Sequence, residues 1–258
     1  MEDRQMHSNP TVLDLFSGIG GFSLGLERAG FETVAFCEIE EYARRVLLKN
    51  WPQVPIAQDV RTLRYERESQ ALLADGKELY RGTINLICGG FPCQDISAAK
   101  RNARGLAGER SGLWSEMLRL LIESGAELLA ENVALLRSRG LATVLRDLWQ
   151  IGYDAEWHII PARAVGAIHL RERLFLYSYP RGQRRQRLSA QPLSRKPAFS
   201  WLENVRGIED LRERSAIHTP MLCRADDGIP YRIHRLQCLG NAVVPQIIEE
   251  LGRAILSK

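Results

Sequence analysis

The chain has 258 residues, 45% of them hydrophobic and 26% charged, with a formal net charge of +4 at pH 7. These values are ordinary for one large globular domain, alone or with a small appendage, and they permit a polyanionic partner. They exclude a transmembrane helix, because no apolar run approaches the roughly 20 residues that span a bilayer. The polar first five residues are unlike a secretory signal. Five cysteines without Cys-x-x-Cys or Cys/His zinc spacing predict a reduced, cytoplasmic protein with no structural metal.

The first predicted unit is a strand from Thr11 to Phe16, a glycine-rich turn, and a helix from Phe22 to Ala29 that ends at Gly30. This order opens the nucleotide-binding half of a doubly wound sheet, because the glycines let a ligand lie against the helix N-terminus. Taken alone, the turn is equally well explained as a tight βα connection. No lysine follows it as in a phosphate-binding loop, which fits a ligand without phosphates.

Two further predicted strands end near acidic residues. The strand Thr33 to Cys37 leads directly into Glu38. After a predicted helix from Tyr42 to Lys49, a short strand from Ile56 to Val60 contains Asp59. An acid at the end of the second strand is placed to accept hydrogen bonds from ribose hydroxyls, so Glu38 is a candidate ligand residue.

Residues 61–82 are charged and mostly aperiodic, which predicts a surface connection. A helix from Glu66 to Ala74 is the one element proposed within it. The following apolar run, Thr83 to Cys88, has the β-branched residues and short length of a buried strand.

The segment from Gly89 to Ser97 places Cys93 directly after Pro92. Two glycines free the backbone and the proline fixes φ just before the cysteine. Such a loop holds a thiol at the carboxyl edge of a sheet, where open α/β sheets bind ligands. Most free cysteines are simply small buried residues, so a reactive role for Cys93 depends on its neighbours. The polar residues 98–111 beyond it form either a solvated face or a loop over a ligand.

Two more segments carry candidate chemistry. A helix opening at Leu113 precedes the apolar strand Leu128 to Val133, in which burial should raise the pKa of Glu131. A predicted helix (Leu141 to Gln150) and strand (Glu156 to Ile160) lead to Arg171 and Arg173, where a basic loop enters another apolar strand. Alone, such an arginine pair is usually a solvated or salt-bridged surface feature.

The last third of the chain is basic and then helical. No acidic residue occurs between Arg173 and Leu202, a pattern that suits a polyanion contact but is also common in solvated segments. Pro245 is suited to a first helical turn, and the amphipathic pattern from Ile247 to Leu256 predicts a C-terminal helix packed beside the first βα unit.

These segments, in this order along residues 11 to 247, resemble the cytosine-C5 DNA methyltransferase family. The resemblance rests on the glycine turn, Pro92-Cys93-Gln94, Glu131-Asn132-Val133, the Arg-x-Arg pair at 171 and 173, and Gly240-Asn241. It implies a doubly wound Rossmann-like α/β fold, S-adenosylmethionine as cofactor and duplex DNA as substrate. The chain departs from the family pattern at His169, where glutamine is commonest.

The resemblance also implies a role for each matching residue. Cys93 is the covalent nucleophile, and Glu131 in protonated form neutralises ring nitrogen 3 of the target cytosine. Arg173 stabilises the carbonyl oxygen, and Arg171 supports it or holds a phosphate. The implied cofactor pocket is lined by Phe16, Gly18, Ile19, Gly21, Glu38, Ile39, Asp59, Val60, Leu113, Asn241 and Ala242.

The expected organisation has three parts. Residues 1–179 form the catalytic, cofactor-binding domain, 180–235 a small target-recognition region with Arg184, Arg185 and Arg187 as DNA contacts, and 236–258 a segment returning to the catalytic domain. We expect a monomer that does not associate with membranes, with a cognate restriction endonuclease as a functional partner but not in complex. Three alternatives remain: the same chemistry on transfer RNA, an NAD-dependent oxidoreductase, and a catalytically inactive DNA-binding relative.

Overall fold

The computed structural model describes residues 9–92, 112–167, 171–182 and 232–257. Ten strands lie in two sheets: β1 Thr11–Leu15, β2 Glu32–Cys37, β3 Ile56–Ala57, β4 Leu63–Glu66, β5 Ala71–Ala74, β6 Lys77–Arg81, β7 Leu86–Gly90, β8 Glu127–Val133, β9 Tyr153–Pro161 and β10 Glu172–Pro180. The α-helices of these ranges are α1 Gly21–Ala29, α2 Glu41–Asn50, α3 Gly112–Ser124, α4 Leu136–Arg139, α5 Leu141–Gln150, α6 Arg232–Asn241 and α7 Pro245–Leu256. Two 3-10 turns, Val60–Thr62 and Ala162–Val165, join strands.

The main sheet has seven strands in the order β3-β2-β1-β7-β8-β10-β9. The five strands from β3 to β8 in that order run parallel, and β10 pairs antiparallel with both β8 and β9. Strand order reverses between β1 and β7, so a crevice opens there outside the carboxyl ends of the strands. Because β10 is antiparallel, its first residues join the same edge. The predicted doubly wound α/β fold is confirmed.

Apolar layers cover both faces of this sheet. One face carries a core that includes Leu13, Ile87 and Leu128 and is covered by α3, α5 and the smaller sheet. On the other face, α1 and α7 pack against Val12 and Cys88. The predicted position of the C-terminal helix beside the first βα unit is therefore confirmed.

Residues 63–81 correct one sequence prediction, because they form the antiparallel sheet β4-β5-β6 and not a helix from Glu66 to Ala74. Their burial alternates with the period of a strand, with Leu63 and Tyr65 inside and Arg64 outside. Asp75 and Gly76 both have positive φ (50° and 74°), the backbone of a tight hairpin turn between β5 and β6. The Asp-Gly pair and the short alternation were the available signals.

Other predicted elements occur with shifted ends. The strand expected from Ile56 to Val60 stops at Ala57, and Val60 begins a 3-10 turn. The strand expected from Thr83 to Cys88 occupies Leu86–Gly90, and the strand expected from Glu156 to Ile160 extends over Tyr153–Pro161. Across the described ranges, no helix combines the length and apolar character needed to cross a membrane.

Candidate active site

A cavity of about 720 Å³ opens at the carboxyl edge of the main sheet, at the point where strand order reverses. Its walls come from the glycine turn, the ends of β2, β7 and β8, the start of β10, and α6. Twelve of the residues expected at the site line it: Phe16, Gly18, Gly21, Glu38, Ile39, Asp59, Val60, Leu113, Glu131, Arg173, Asn241 and Ala242. Ile19 and Arg171 are described but do not line it.

The glycine turn between β1 and α1 packs closely against the ring of Trp51. Phe16, Gly18 and Gly20 all have positive φ (54°, 54° and 85°), so the chain reverses within a few residues between β1 and α1. A Cβ on Gly20 would lie 2.5 Å from the ring of Trp51, and the indole N–H of Trp51 donates to Glu27 on α1 at 2.9 Å. A side chain at position 20 would displace this ring, so glycine is required there.

Glu38 is held in one orientation by the backbone. Its Oε2 accepts a hydrogen bond from the Gly18 N–H at 2.6 Å, and its Oε1 accepts one from the Glu40 N–H at 2.8 Å. The side chain is 7% exposed and lines the cavity. Each carboxylate oxygen can accept more than one hydrogen bond, so both remain able to receive a hydroxyl from a ligand.

Asp59 is engaged by its own neighbour. Its carboxylate accepts hydrogen bonds from the Arg61 backbone N–H at 2.9 Å and from the Arg61 guanidinium at 2.6–3.0 Å. These hydrogen bonds hold the pKa of Asp59 below its usual range, so it is anionic at neutral pH. Asp59 thereby caps the 3-10 turn that begins at Val60, and it also lines the cavity.

Glu131 lies on β8, where it is 7% exposed. Arg173 Nε lies 2.8 Å from Glu131 Oε1, so the guanidinium and the carboxyl group are in direct contact. Burial raises the pKa of Glu131 to about 7, against the opposing effect of Arg173 and then Arg171. The carboxyl group is therefore available in protonated form near neutral pH, as expected for a group that donates a proton.

The start of the cysteine loop lies against Glu131. A Cβ on Gly90 would lie 3.0 Å from Glu131 Oε2, so glycine permits the close approach of β7 to this carboxylate. Asn132 Nδ2 donates to the Phe91 carbonyl at 2.9 Å and holds the backbone just before Pro92. Cys93 itself lies outside the described residues, as do His169, the segment 98–111, and Arg184, Arg185 and Arg187.

The other cysteines in the described ranges are poorly suited to nucleophilic attack. Cys37 and Cys88 are buried, and burial raises the pKa of both thiols, that of Cys37 to about 12. Cys238 is partly buried, and burial raises its pKa as well. A thiolate is the reactive form, so these three thiols are largely unreactive at neutral pH.

Arg171 links the start of β10 to the segment that follows α6. Its Nη2 donates to the Ala242 carbonyl at 2.8 Å. Burial lowers its pKa and Arg173 adds to that effect, while Glu131 opposes it. Arg171 thus holds the Asn241-Ala242 segment beside the strand that carries Arg173.

Several lining residues were not anticipated from the sequence. They include Ser17, Phe22, Cys37, Glu40, Tyr42, Ala43, Gln58, Arg61, His234, Cys238 and Val243. His234, Cys238 and Asn241 are spaced i, i+4 and i+7 and so share one face of α6. The His234 and Tyr42 rings stack with centroids 5.7 Å apart. That helical spacing was the only available signal for the α6 residues.

The chain is similar to known proteins. Residues 10–221 match the model of the family described as C-5 cytosine-specific DNA methylase. The chain is similar to the Type II methyltransferase M2.BsuMI of Bacillus subtilis (31% identity over 241 residues, 84% of this chain and 57% of that protein). It is also similar to the Type II methyltransferase M.Eco47II of Escherichia coli (33% over 180 residues, 69% of this chain and 38% of that protein). The chain thus spans only 57% and 38% of the length of these relatives.

Solved structures agree with the fold. A prophage-encoded E. coli protein described as a DNA modification methyltransferase aligns with a TM-score of 0.50 and 27% identity, over 67% of this chain and 47% of its own. The S. pombe Dnmt2 methyltransferase aligns with a TM-score of 0.54 over 69% of this chain and 53% of its own, and at 20% identity that likeness concerns the fold alone. Since the family model covers most of the sequence, the chain belongs to the C-5 cytosine-specific DNA methylase family.

Proposed function

We propose that this protein transfers a methyl group from S-adenosylmethionine to carbon 5 of a flipped cytosine in duplex DNA. The observation that carries the proposal is the single continuous cavity, which joins Glu38 and Asp59 at one end to Glu131 and Arg173 at the other. A cofactor and a target base can therefore occupy the same cavity. The start of the cysteine loop, at Pro92, lines it as well.

The lining residues fit the cofactor. The Glu38 carboxylate, fixed by two backbone amides, is placed to accept the ribose hydroxyls. Asp59 and Val60 would contact the adenine, and the Phe16 ring would pack on its face. When bound, S-adenosylmethionine supplies an electrophilic methyl group on its sulfonium sulfur.

The residues at the other end fit the chemistry of the base. The Cys93 thiolate would add to carbon 6 of cytosine, which makes carbon 5 nucleophilic enough to accept the methyl group. Protonated Glu131 would neutralise charge developing at ring nitrogen 3, and Arg173 would stabilise the carbonyl oxygen. A base then removes the carbon-5 proton, and the Cys93–carbon 6 bond breaks to release methylcytosine and the thiolate. The target must leave the duplex, which costs a few kcal/mol.

The remaining parts of the proposal concern partners and organisation. We assign DNA recognition to residues 180–235, between the catalytic domain (1–179) and the returning segment (236–258). The relatives named as Type II methyltransferases support a role in restriction–modification, with the nuclease as a separate protein. We place the enzyme in the cytoplasm as a monomer.

Covalent trapping tests the proposal. Duplex DNA carrying 5-fluorocytosine at target sites cannot lose a proton from carbon 5, so with S-adenosylmethionine the adduct should survive denaturing electrophoresis. Cys93→Ser should abolish both the adduct and transfer of labelled methyl groups. Cys238→Ser is the matched control for a thiol lining the same cavity, and its adduct should persist.

Substrate choice is read in the same assay. Labelled methyl transfer should occur with duplex DNA and not with transfer RNA. Transfer to RNA alone would replace the proposed substrate, and an adduct formed by Cys93→Ser would refute the assigned nucleophile. No transfer to any nucleic acid, with normal cofactor binding, would favour the inactive DNA-binding alternative.

A further inference from the structure

A polar network on α3 contacts the cofactor end of the cavity from outside. Its centre is Arg119, whose Nε donates to Glu116 Oε2 at 2.8 Å and whose Nη1 donates to Glu123 Oε1 at 2.6 Å. Its Nη2 donates to the carbonyl of Val60 at 3.3 Å. Arg119, Glu116 and Glu123 are each only about a quarter exposed, so these contacts are better shielded from solvent than an ordinary surface pair.

The Val60 carbonyl is held from two sides. It accepts a hydrogen bond from the Leu63 N–H, which closes the 3-10 turn, and one from Arg119. The side chain of Val60 is 3% exposed, and the residue before it is Asp59, which caps the same turn. A shift of the Val60 peptide would therefore move the cavity wall formed by both residues.

The same network reaches the smaller sheet. Glu123 Oε2 accepts the backbone N–H of Tyr65 at 2.9 Å, just after the 3-10 turn. Arg119 and Glu123 thus bracket the segment from Val60 to Tyr65 against one helix. The first turn of that helix carries Leu113, which lines the cavity.

We infer that Arg119 is a positioning residue for the adenine end of the cofactor site, acting through the Val60 carbonyl. The inference rests on the proposed binding of S-adenosylmethionine in this cavity. The planar guanidinium presents donors in fixed directions and satisfies two carboxylates and a carbonyl at once. Lysine keeps the charge but lacks the planar set of N–H donors, so it can make only some of the three contacts.

The test compares Arg119→Met with wild type by calorimetric titration of S-adenosylmethionine. The dissociation constant should rise about tenfold, and KM for the cofactor should rise in parallel, while kcat at saturating cofactor stays within about twofold of wild type. Arg119→Lys should give an intermediate dissociation constant. The matched control is Arg253→Met, which removes an arginine–glutamate pair on α7 and should leave cofactor binding unchanged.

Two further ligands distinguish a local effect on the adenine end of the site from a general destabilisation of the cavity. 5′-Methylthioadenosine, which lacks the amino acid portion, should lose affinity by the same factor as S-adenosylhomocysteine, because the effect belongs to the adenine end. Titrations are run well below the melting temperature of each variant. If Arg119→Met does not fold, the dissociation constant of Arg119→Lys is compared with that of wild type instead.

The outcomes are distinct. If wild type binds no S-adenosylmethionine, the proposed function fails and this inference with it. If wild type binds but the Arg119 variants bind within twofold of it, only the positioning role is overturned. A loss seen with S-adenosylhomocysteine but not with 5′-methylthioadenosine would overturn it too, as would a fall in kcat with unchanged KM.

Discussion

At the scale of single residues, burial and a neighbouring cation act in opposite directions on the pKa of Glu131, and burial has the larger effect. A cation 2.8 Å away favours the carboxylate, yet burial raises the pKa to about 7. Arg173 keeps the shift from being larger, so the side chain can change its protonation near neutral pH. A pKa near neutral pH suits a group that donates a proton during one step and recovers it afterwards.

Replacing Glu131 with glutamine keeps its shape and removes the proton that it can transfer. Turnover should fall by roughly 10²–10⁴, the scale of losing acid–base assistance. Affinity for S-adenosylmethionine should change little, because Glu131 lies at the opposite end of the cavity from Glu38. Single-turnover methyl transfer and calorimetry measure the two effects. An unchanged single-turnover rate in Glu131→Gln would remove Glu131 from the chemistry.

Asp14 is a second buried acid, and no cation of the described residues forms an ion pair with it. It is fully buried on β1, and its Oδ2 accepts a hydrogen bond from Ser23 Oγ at 2.7 Å, while no described group donates to Oδ1. Burial raises its pKa to about 7. The unfolded chain releases this proton near the ordinary value of 3.8, whereas the folded chain keeps it until about pH 7.

The stability contribution of Asp14 is therefore present below about pH 4 and is lost as pH rises through 7. Asp14→Asn lacks this loss, so its free energy of unfolding should improve relative to wild type by roughly 2–3 kcal/mol between pH 5 and pH 8. Urea denaturation of both proteins at the two pH values measures the difference. A difference that stays constant with pH would contradict a raised pKa at Asp14.

At the scale of elements, the contact between α1 and α7 joins the two ends of the chain. A Cβ on Gly25 would lie 2.5 Å from the Pro245 carbonyl oxygen and 2.6 Å from Ile248 Cβ. A Cβ on Gly252 would lie 2.8 Å from the Cβ of Ala29. The helices approach so closely because each presents a glycine to the other. Since α7 directly follows Ala242 to Val244, this contact also supports the C-terminal wall of the cavity.

Gly25→Ala should weaken that contact. Alanine favours the helix by about 1 kcal/mol, but the clash with backbone and core atoms should cost more, giving a net loss on the order of 1–3 kcal/mol. Gly240→Ala is the matched control, because a Cβ there meets no atom of the described residues within 4 Å, and it should be neutral or stabilising. Urea denaturation midpoints measure both variants. Equal stability of Gly25→Ala and wild type would mean that the helices separate at little cost.

At the scale of the whole molecule, the described residues form the cavity proposed to hold the cofactor and the target base, and DNA recognition is proposed for the basic segment. Residues 183–231 lie outside the described ranges, and the acid-free stretch after Arg173 runs into them. Cations in such a stretch would contact phosphates, which set affinity and its salt dependence more than sequence choice.

Changing Arg184, Arg185 and Arg187 together to alanine should weaken binding to duplex DNA strongly and flatten the dependence of affinity on salt, by about one unit of slope for each lost phosphate contact. Binding of S-adenosylmethionine should be unchanged, because the described lining of the proposed cofactor cavity comes from other segments. Fluorescence anisotropy across a salt series and calorimetry give the two readings. Normal DNA affinity with an unchanged slope would place recognition elsewhere.

The sequence by itself determined the family, the strands of the main sheet, and twelve of the residues that line the cavity. This succeeded because glycine turns, apolar strands and terminal acids are local patterns, and the doubly wound topology brings their ends to one edge. It failed at residues 66–74, where the sequence predicts a helix but β4 and β5 form, with the alternation confined to residues 63–66 and the Asp75-Gly76 turn as the second signal.

Only the tertiary structure decided which distant side chains meet. Arg171 reaches Ala242 across 71 positions, and Arg119 reaches Val60 across 59. The tertiary structure also decided how deeply Glu131 and Asp14 are buried, because the residues that cover them come from other segments of the chain. Local patterns specify elements because neighbouring residues constrain the backbone directly. Contacts between elements depend on packing that no single stretch of sequence encodes.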